Sequence, residues 1–599
     1  MQAGLDLAIV NSEKLERYPS IPEEERKLAE DLIWWRGEDP IGAFAAHFRA
    51  KKGRVVAENR KDLPLLERLP RYILEGSKDG LVPDLDEALQ TMGPLEIING
   101  PLMKGMDEVG RLFNANQMIV AEVLQSAEAM KAAVAHLEPH MEKTESATKG
   151  KIILATVKGD VHDIGKNLVE IILSNNGYRV VNLGIKVPPE ELIKAYHQHQ
   201  PDAIGLSGLL VKSAQMMVVT AQDLKTAGVD CPILVGGAAL SNRFTRMKIA
   251  PEYDGLVAYA SDAMAGLDLA NRAMDFERRE TLKRTLDAET HRLLESAPKA
   301  AGTTAVAPDT KSSVRRDVEI PTPPDLKTHI IKGYDLGEIF SYINPAMLYS
   351  KHLGLRNADQ ALRAGEAKAI ELKTAIEEVQ DIIFARGDIK ANAVFRFFRA
   401  QSDGDRTLQI YGPEGKNVVA NFRFGRQGEP PHLCLADYIA PSDSGRVDYV
   451  CMFLVTITGS VRALAEEWKQ KGDYLRSHIL QAVAVEGAEG FAELLHKKIR
   501  AMWGIGDPPG LTLKDLIQAR YHGKRYSFGY PACPRLEDQT TLFSLLEVER
   551  HGLGIHLTEG FMMDPESSVS AFVLHHPECK YFSLSQADIE RLEAEFGQS

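Results

Sequence analysis

The residues Lys158-Gly-Asp-Val-His-Asp-Ile-Gly-Lys-Asn167 set one imidazole, His162, between an apolar strand-like run, Ile152 to Val157, and what reads as the start of a helix. A carboxylate, Asp160, precedes it by two positions, and Gly165 follows by three. An imidazole on such a loop is presented rather than buried, and it is a good ligand for a transition metal. Asp160 is placed to accept the other ring N–H, which fixes the tautomer and tunes ligand basicity. Alone, Asp-x-His-x-x-Gly reads more readily as a capped helix start with a solvated histidine. Ser207-Gly-Leu209 and Gly236-Gly237 change that weight, because each closes a later apolar run. The three motifs thus fall at the carboxyl ends of strands of one domain, the edge where open α/β sheets bind ligands. A serine hydroxyl there can bond a ligand, and paired glycines let backbone approach it.

Asp160-x-His162-x-x-Gly165, Ser207-x-Leu209 and Gly236-Gly237 resemble the signature of base-off cobalamin-binding domains, the family that includes methionine synthases and corrinoid mutases. The resemblance implies that His162 takes the lower axial position of cobalt and that the detached nucleotide tail enters a slot beside the sheet. It further implies cofactor contacts from Gly159, Asp160, Val161, Asp163, Gly165, Ser207, Leu209, Gly236, Gly237 and the strand-end Ala260, and a His162-Asp160-Ser213 hydrogen-bond chain below the metal. Val211 stands where the family often has a threonine, so one hydroxyl contact is missing. Gly159 to Lys166 is not a phosphate-binding P-loop: five residues separate Gly159 from Gly165, and Asn167 replaces the Ser or Thr.

The elements needed to position these motifs follow from periodicity. Strands are expected at Lys151–Val157, Tyr178–Gly184, Asp202–Gly208, Pro232–Gly237 and Gly255–Ala260, with helices such as Asp163–Asn176 and Ser213–Ala227 between them. Strands alternating with helices give a flavodoxin-like (Rossmann-like) α/β domain, placed at 146–275. Upstream, apolar residues recur at helical spacing from Leu63 to Glu142, broken at Gly93-Pro94, Gly100-Pro101 and Asn114-Ala-Asn116, which predicts a four-helix bundle at 51–145. It resembles the cap over the methyl-bearing face of cobalamin, with Phe113 and Val120 matching corrin contacts and Asn99 standing where the family commonly has a glutamate. Residues 1–50, with a strand at Leu5–Val10 and helices from Pro22 to Arg36 and on to about Lys51, resemble the end of a folate-binding barrel plus a connecting helix. The chain thus looks like the carboxyl-terminal portion of a longer protein or a split-gene product.

A linker is placed at 276–325. Phe276–Ser296 reads as a charged helical run, and Ala297–Lys327, rich in Ala, Thr, Pro and Ser, as a mobile tether. Beyond it, 326–599 reads as an α+β domain, with strands at Ala393–Ala400, Arg406–Tyr411 and Tyr449–Thr456 and helices at Val461–Ala484 and Ala488–Met502. The whole is multidomain. The stretch Arg525-Tyr-Ser-Phe-Gly-Tyr-Pro-Ala-Cys-Pro534 strongly resembles the S-adenosylmethionine-binding motif of the methionine synthase activation domain, supported by Cys434-Leu-Ala-Asp-Tyr438, Glu489 and Lys580-Tyr581-Phe582. Arg525 offers a forked cation to a carboxylate, Glu489 accepts from an ammonium or hydroxyl, and the backbone of Gly529, Tyr530, Pro531 and Ala532 can read adenine beside Tyr581 and Phe582. Asn344 stands where the family often has an aspartate and cannot neutralise a cation.

The 599 residues carry 26% charged residues and a net charge of −13, which is globular composition without the basic stripe of a nucleic-acid binder. No apolar run is long enough to span a membrane and no signal-peptide pattern opens the chain, so a cytoplasmic protein is expected. Five scattered cysteines give neither a disulfide framework nor a zinc site. The resemblance implies a methyltransferase segment using cobalamin (as methylcobalamin) and S-adenosylmethionine. It would carry a methyl group on cobalt from methyltetrahydrofolate to homocysteine and be remethylated reductively by S-adenosylmethionine. Its implied partners are homocysteine- and folate-binding domains, on the same longer chain or a separate subunit, and a flavodoxin-like or flavoprotein reductant, with neither nucleic acid nor membrane. The rival is a stand-alone corrinoid methyl carrier or cobalamin sensor, which would lack a domain built around Arg525.

Overall fold

The computed structural model describes residues 23–34, 36, 44, 63–141, 148–295 and 311–596. The chain forms two compact units, residues 1–69 and 70–599. In the first, the helix Glu23–Ile33 is described; the strand read at Leu5–Val10 and most of the second helix, read on to about Lys51, lie outside the described residues.

The second unit opens with a helical bundle. Its helices are Leu65–Leu74, which crosses the unit boundary, then Leu81–Leu89, a continuous run over 94–114, and Val120–Leu137. Gly93-Pro94 does separate two helices, but Gly100-Pro101 does not. The chain widens there into a π-turn, Ile98–Leu102, which absorbs the proline's missing N–H without ending the helix. The last helix starts cleanly because Glu122 accepts the Ile119 N–H at 2.8 Å.

Five parallel strands follow: β1 (Gly150–Thr156), β2 (Tyr178–Asn182), β3 (Ala203–Ser207), β4 (Ile233–Gly236) and β5 (Val257–Ala260), in the order β2-β1-β3-β4-β5. Apolar residues such as Ile152, Ile153, Ile204 and Ile233 are fully buried because helices cover both faces of the sheet. The order reverses at β1 and β3, so the loops after these strands, carrying His162 and Ser207-Gly-Leu209, flank the switch point where such sheets bind ligands.

The rest of the unit is built on a seven-stranded sheet. Its path is β11 (Lys524–Tyr526), β12 (Ser568–Leu574), β10 (Asp448–Thr458), β7 (Lys390–Ser402), β8 (Thr407–Tyr411) and β9 (Val418–Arg423), with β6 (Thr328–Tyr334) also paired to β7. All its pairings are antiparallel. The long helix Tyr474–Met502 packs against it. The helix break sits at Gly472, in the left-handed region, rather than after Ala484. Gly487 and Gly490 lie inside the helix for proximity: a Cβ on Gly490 would stand 3.0 Å from the Ile339 carbonyl oxygen and 3.1 Å from the Tyr342 carbonyl carbon.

The segment read as a tether is held at both of its described ends. Phe276–Glu295 is a helix whose Leu282 and Leu286 are buried in the core beside the helix Ala263–Met274. Residues 311–327 run along the seven-stranded domain: Ser312 donates to Asp437 at 2.8 Å, Arg315 pairs with Glu578 at 2.6 Å, and Trp503 Nε1 donates to the Pro321 carbonyl at 2.9 Å. Arg446 donates to the carbonyls of Arg316 and Val318. Low apolar content forbids a core of its own, but backbone carbonyls still serve as acceptors for a neighbour. Residues 296–310 lie outside the described residues.

Candidate functional site

After β1 the chain turns at Gly159, whose φ of +79° and contact with Gly560 leave no room for a side chain. His162 then donates its main-chain N–H to Asp160 Oδ1 at 2.9 Å, and its ring Nδ1 lies 2.6 Å from the same oxygen. Asp160 is fully buried, and its Oδ2 accepts the Leu209 N–H at 2.8 Å and the Ser213 hydroxyl at 2.5 Å. With ionised Asp160 accepting only, Nδ1 must carry the proton, and Nε2 is left as the free lone pair. Burial pulls the imidazole pKa down, but its hydrogen bond to Asp160 and the charges of Glu566, Asp160 and Asp163 outweigh it and leave it raised.

His162 lines a cavity of about 1050 Å³ together with Gly165, Ser207, Leu209, Gly236, Gly237 and Ala260. Ile152, Leu154, Ile172 and Leu234 make an apolar slot in it; Phe113 and Val120 enter from the bundle, and Asn344, Glu489, Arg525 and Tyr530 from the last domain. Gly237 has φ +146°, and a Cβ there would lie 1.7 Å from the Gly208 carbonyl oxygen, so no other residue fits. An imidazole with one free nitrogen above a polar-mouthed apolar slot, in a cavity at the upper end of the ~300–1,000 Å³ of small-molecule pockets, fits a metal macrocycle with a long tail.

A second pocket of about 410 Å³ is lined by Pro531, Ala532, Tyr581, Phe582 and Ser583, and it shares Glu489, Arg525, Ser527 and Tyr530 with the first. The two cavities therefore meet at Arg525. Arg525 Nη1 lies 2.5 Å from Glu493 and Nη2 3.9 Å from Glu489, carboxylates one turn apart on the long helix. The surrounding protein raises the Glu489 carboxyl above its ordinary range by desolvation although the side chain opens on the cavity; Arg525 opposes this, and Glu486 and Glu493 add to it.

The groups packed over the His162 loop come from the last domain. Thr558 donates to the Gly159 carbonyl at 2.8 Å, Lys186 pairs with Asp564 at 2.6 Å and Lys212 with Glu537 at 2.7 Å. Glu566 faces the loop, and burial pushes its carboxyl up to about 7 despite the pull of His162. The bundle helix Val120–Leu137 is docked on the same domain: Lys131 donates to the carbonyl of Gln470 at 2.7 Å, Glu128 accepts the Leu475 N–H at 3.0 Å, and Lys368 pairs with Glu122 at 2.5 Å.

These segments coincide with three known domains. Residues 65–138 and 150–268 each match a B12 binding domain, and residues 335–595 match the activation domain of vitamin B12 dependent methionine synthase. The chain is 37% identical to the methionine synthase of Mycobacterium tuberculosis and 37% identical to that of Mycobacterium leprae, with 97% of this chain and 52% of each relative covered. The chain thus carries two B12 binding segments followed by a methionine synthase activation domain. It spans about half the length of these curated relatives. A solved MetH reactivation domain bound to AdoHcy is 30% identical over 47% of this chain and 89% of that one, with a TM-score of 0.43.

The chain gathers many but not all of the expected residues at its cavities. Asn99 is exposed and away from both. Val161 is fully buried in an apolar cluster with residues of the last domain, and Gly159 meets Gly560, so both serve packing between domains. Asp163 meets Glu566 through its main-chain N–H at 3.4 Å, while Val211 is half exposed and lines neither cavity. Gly529 is set back: its φ is +82° and its N–H donates to the Cys533 carbonyl, which shapes the turn that brings Tyr530 and Pro531 forward. Glu493, Ser527, Lys351 and Glu566 were not expected from sequence. Glu493 alone carried a signal, its i+4 spacing from Glu489 on one helix face.

Proposed function

We propose that this chain is the cobalamin-carrying and reactivation portion of a methionine synthase: a cap at 51–145, a cobalamin domain at 146–275 and an activation domain at 326–599, with 1–50 as the end of a folate barrel. This reading is carried by the wall that the His162 cavity and the Arg525 pocket share, at Glu489, Arg525, Ser527 and Tyr530. Cobalamin bound there supplies a cobalt centre that accepts and releases a methyl group. His162 would hold it through its free Nε2, with Asp160 and Ser213 fixing the ring and its proton, and Gly236-Gly237 and Ser207 would admit the tail. Arg525 would take the carboxylate of S-adenosylmethionine, Glu489 a cationic or hydroxyl group, and Tyr581 and Phe582 would flank the adenine.

Physically, two covers compete for one face. The activation domain occupies the loop beside His162 while the bundle helix is docked against its flank, an arrangement suited to remethylation rather than to the folate and homocysteine steps. Ligands that bind this arrangement better shift the population toward it. The proposed partners are homocysteine- and folate-binding domains and a flavoprotein reductant, in the cytoplasm; no helix among the described residues is long and apolar enough to cross a membrane. The stand-alone carrier or sensor has no use for a second pocket at Arg525. The test is the absorption spectrum of the full chain loaded with methylcobalamin. His162→Gly should retain cofactor but shift the spectrum to a form without protein ligation; an unchanged spectrum removes His162 from the axial role.

A further inference from the structure

Glu493 is the polar group at this site that the mechanism above leaves unused. Its carboxylate is nine-tenths buried and lines the large cavity; one oxygen grips Arg525 at 2.5 Å, and the other is buried without a hydrogen-bond partner. A surface ion pair contributes little, but one removed from water fixes both partners, and an arginine held on one edge can present only its other edge. Glu493 does not line the smaller pocket, whereas Arg525 and Glu489 do and are the charged residues on its wall among the described residues. Glu489 is 43% exposed, so it has solvent access that Glu493 lacks. Nearby, Lys351 lines the large cavity, and Glu486 is engaged with His352 at 2.9 Å. With Glu493 paired to Arg525, Glu489 is the carboxylate left over on the wall of the smaller pocket.

That balance has a consequence for specificity. S-adenosylmethionine carries an ammonium, a carboxylate and a sulfonium, net +1; its demethylated product has lost the sulfonium charge and is net neutral. Building on the donor site proposed above, we propose that Glu493 is a positioning residue that fixes Arg525 for the donor's carboxylate and cancels its charge, so that the pocket, with Glu489 left over, selects the cationic sulfonium over the neutral thioether product. Product then leaves a pocket that no longer matches it.

Calorimetric titration of the full chain tests this with three ligands: S-adenosylmethionine, S-adenosylhomocysteine and 5′-methylthioadenosine, which lacks the amino-acid end. The parent should prefer the sulfonium about tenfold, the scale of one partly screened charge pair, and the preference should shrink as salt is raised. Glu493→Gln should bring the preference near unity and weaken S-adenosylmethionine about tenfold or more, while 5′-methylthioadenosine binds as to the parent. Glu489→Gln should likewise lose the preference. Equal affinity of the parent for sulfonium and thioether at low salt overturns the proposal without any variant. So does a Glu493→Gln protein that keeps the preference, or one that loses all three ligands alike. A parent that binds none of them defeats the donor-site assignment itself, and this proposal with it.

Discussion

The parallel-sheet domain and the activation domain meet at one cavity but recognise their ligands by different means. In the first, the contacts come from loops at strand ends, where backbone shape decides the outcome: Gly237 accepts no side chain and Asp160 fixes one imidazole from below. In the second, a helix and a short edge strand place charged side chains against one another, and the outcome depends on which carboxylate holds Arg525. A loop motif is contiguous and can be seen in sequence. A charge arrangement across a helix face and a strand appears only when the chain is folded.

The sharpest way to break the first kind of site is at Gly237. Gly237→Ala should cost roughly 3 kcal/mol or more, because it combines an overlap with the Gly208 carbonyl and a backbone angle that L-residues avoid. Thermal melting and cofactor retention of the full chain would show it, and a parental melting temperature would mean the loop adapts. Next is the contact between the domains. Val161→Asp buries an uncompensated carboxylate in a cluster shared with the activation domain, at a cost of roughly 2–4 kcal/mol. Protease sensitivity of the last domain should rise, and unaltered resistance would mean that Val161 carries no docking energy.

The charge-based site should respond on a smaller scale. Arg525→Ala should weaken S-adenosylmethionine by about 1.5–3 kcal/mol, tenfold or more, and Arg525→Lys less, because lysine keeps the charge but not the fork. Since Arg525 also lines the cobalamin cavity, its loss can be felt by the bound cofactor, which a site confined to a separate domain would not allow. Equal calorimetric affinity of parent and Arg525→Ala would overturn the assignment.

The smallest effect is a pH dependence. The folded-state pKa of Glu566 is pushed up to about 7 from an ordinary 4.5. The folded form therefore binds more protons between those values, and the contribution to stability is complete below about pH 4.5 and is lost as pH rises through about 7. Docking of the activation domain on the His162 loop in the cofactor-free chain should weaken by roughly 1–3 kcal/mol between pH 5 and pH 8. Glu566→Gln should flatten that profile, and an identical slope in parent and variant would assign it elsewhere.

The two kinds of site were not equally legible. Strand order, the His162 loop and Gly236-Gly237 follow from apolar runs ending in glycine-rich turns, because a parallel strand and its ligand loop are adjacent in sequence. The Arg525 motif was also visible, but its partner Glu493 was not, although it lies one helical turn from Glu489: nothing local says which carboxylate an arginine 32 residues away will take. Val161 and Gly159 were read as cofactor contacts because the loop belongs to a cofactor motif, whereas burial between domains decides what they touch. The segment at 311–327 was read as a tether from composition, which measures whether a segment can build a core and not whether a neighbour offers donors to its carbonyls.

One measurement addresses the shared cavity directly. The full chain is loaded with cobalamin and given a one-electron reductant and S-adenosylmethionine labelled in its methyl group, without folate or homocysteine. Label should pass to the protein-bound cobalamin in the parent and fail to do so in Arg525→Ala at the same donor concentration. A parent chain that binds both ligands yet transfers no label would contradict a cavity that brings them together.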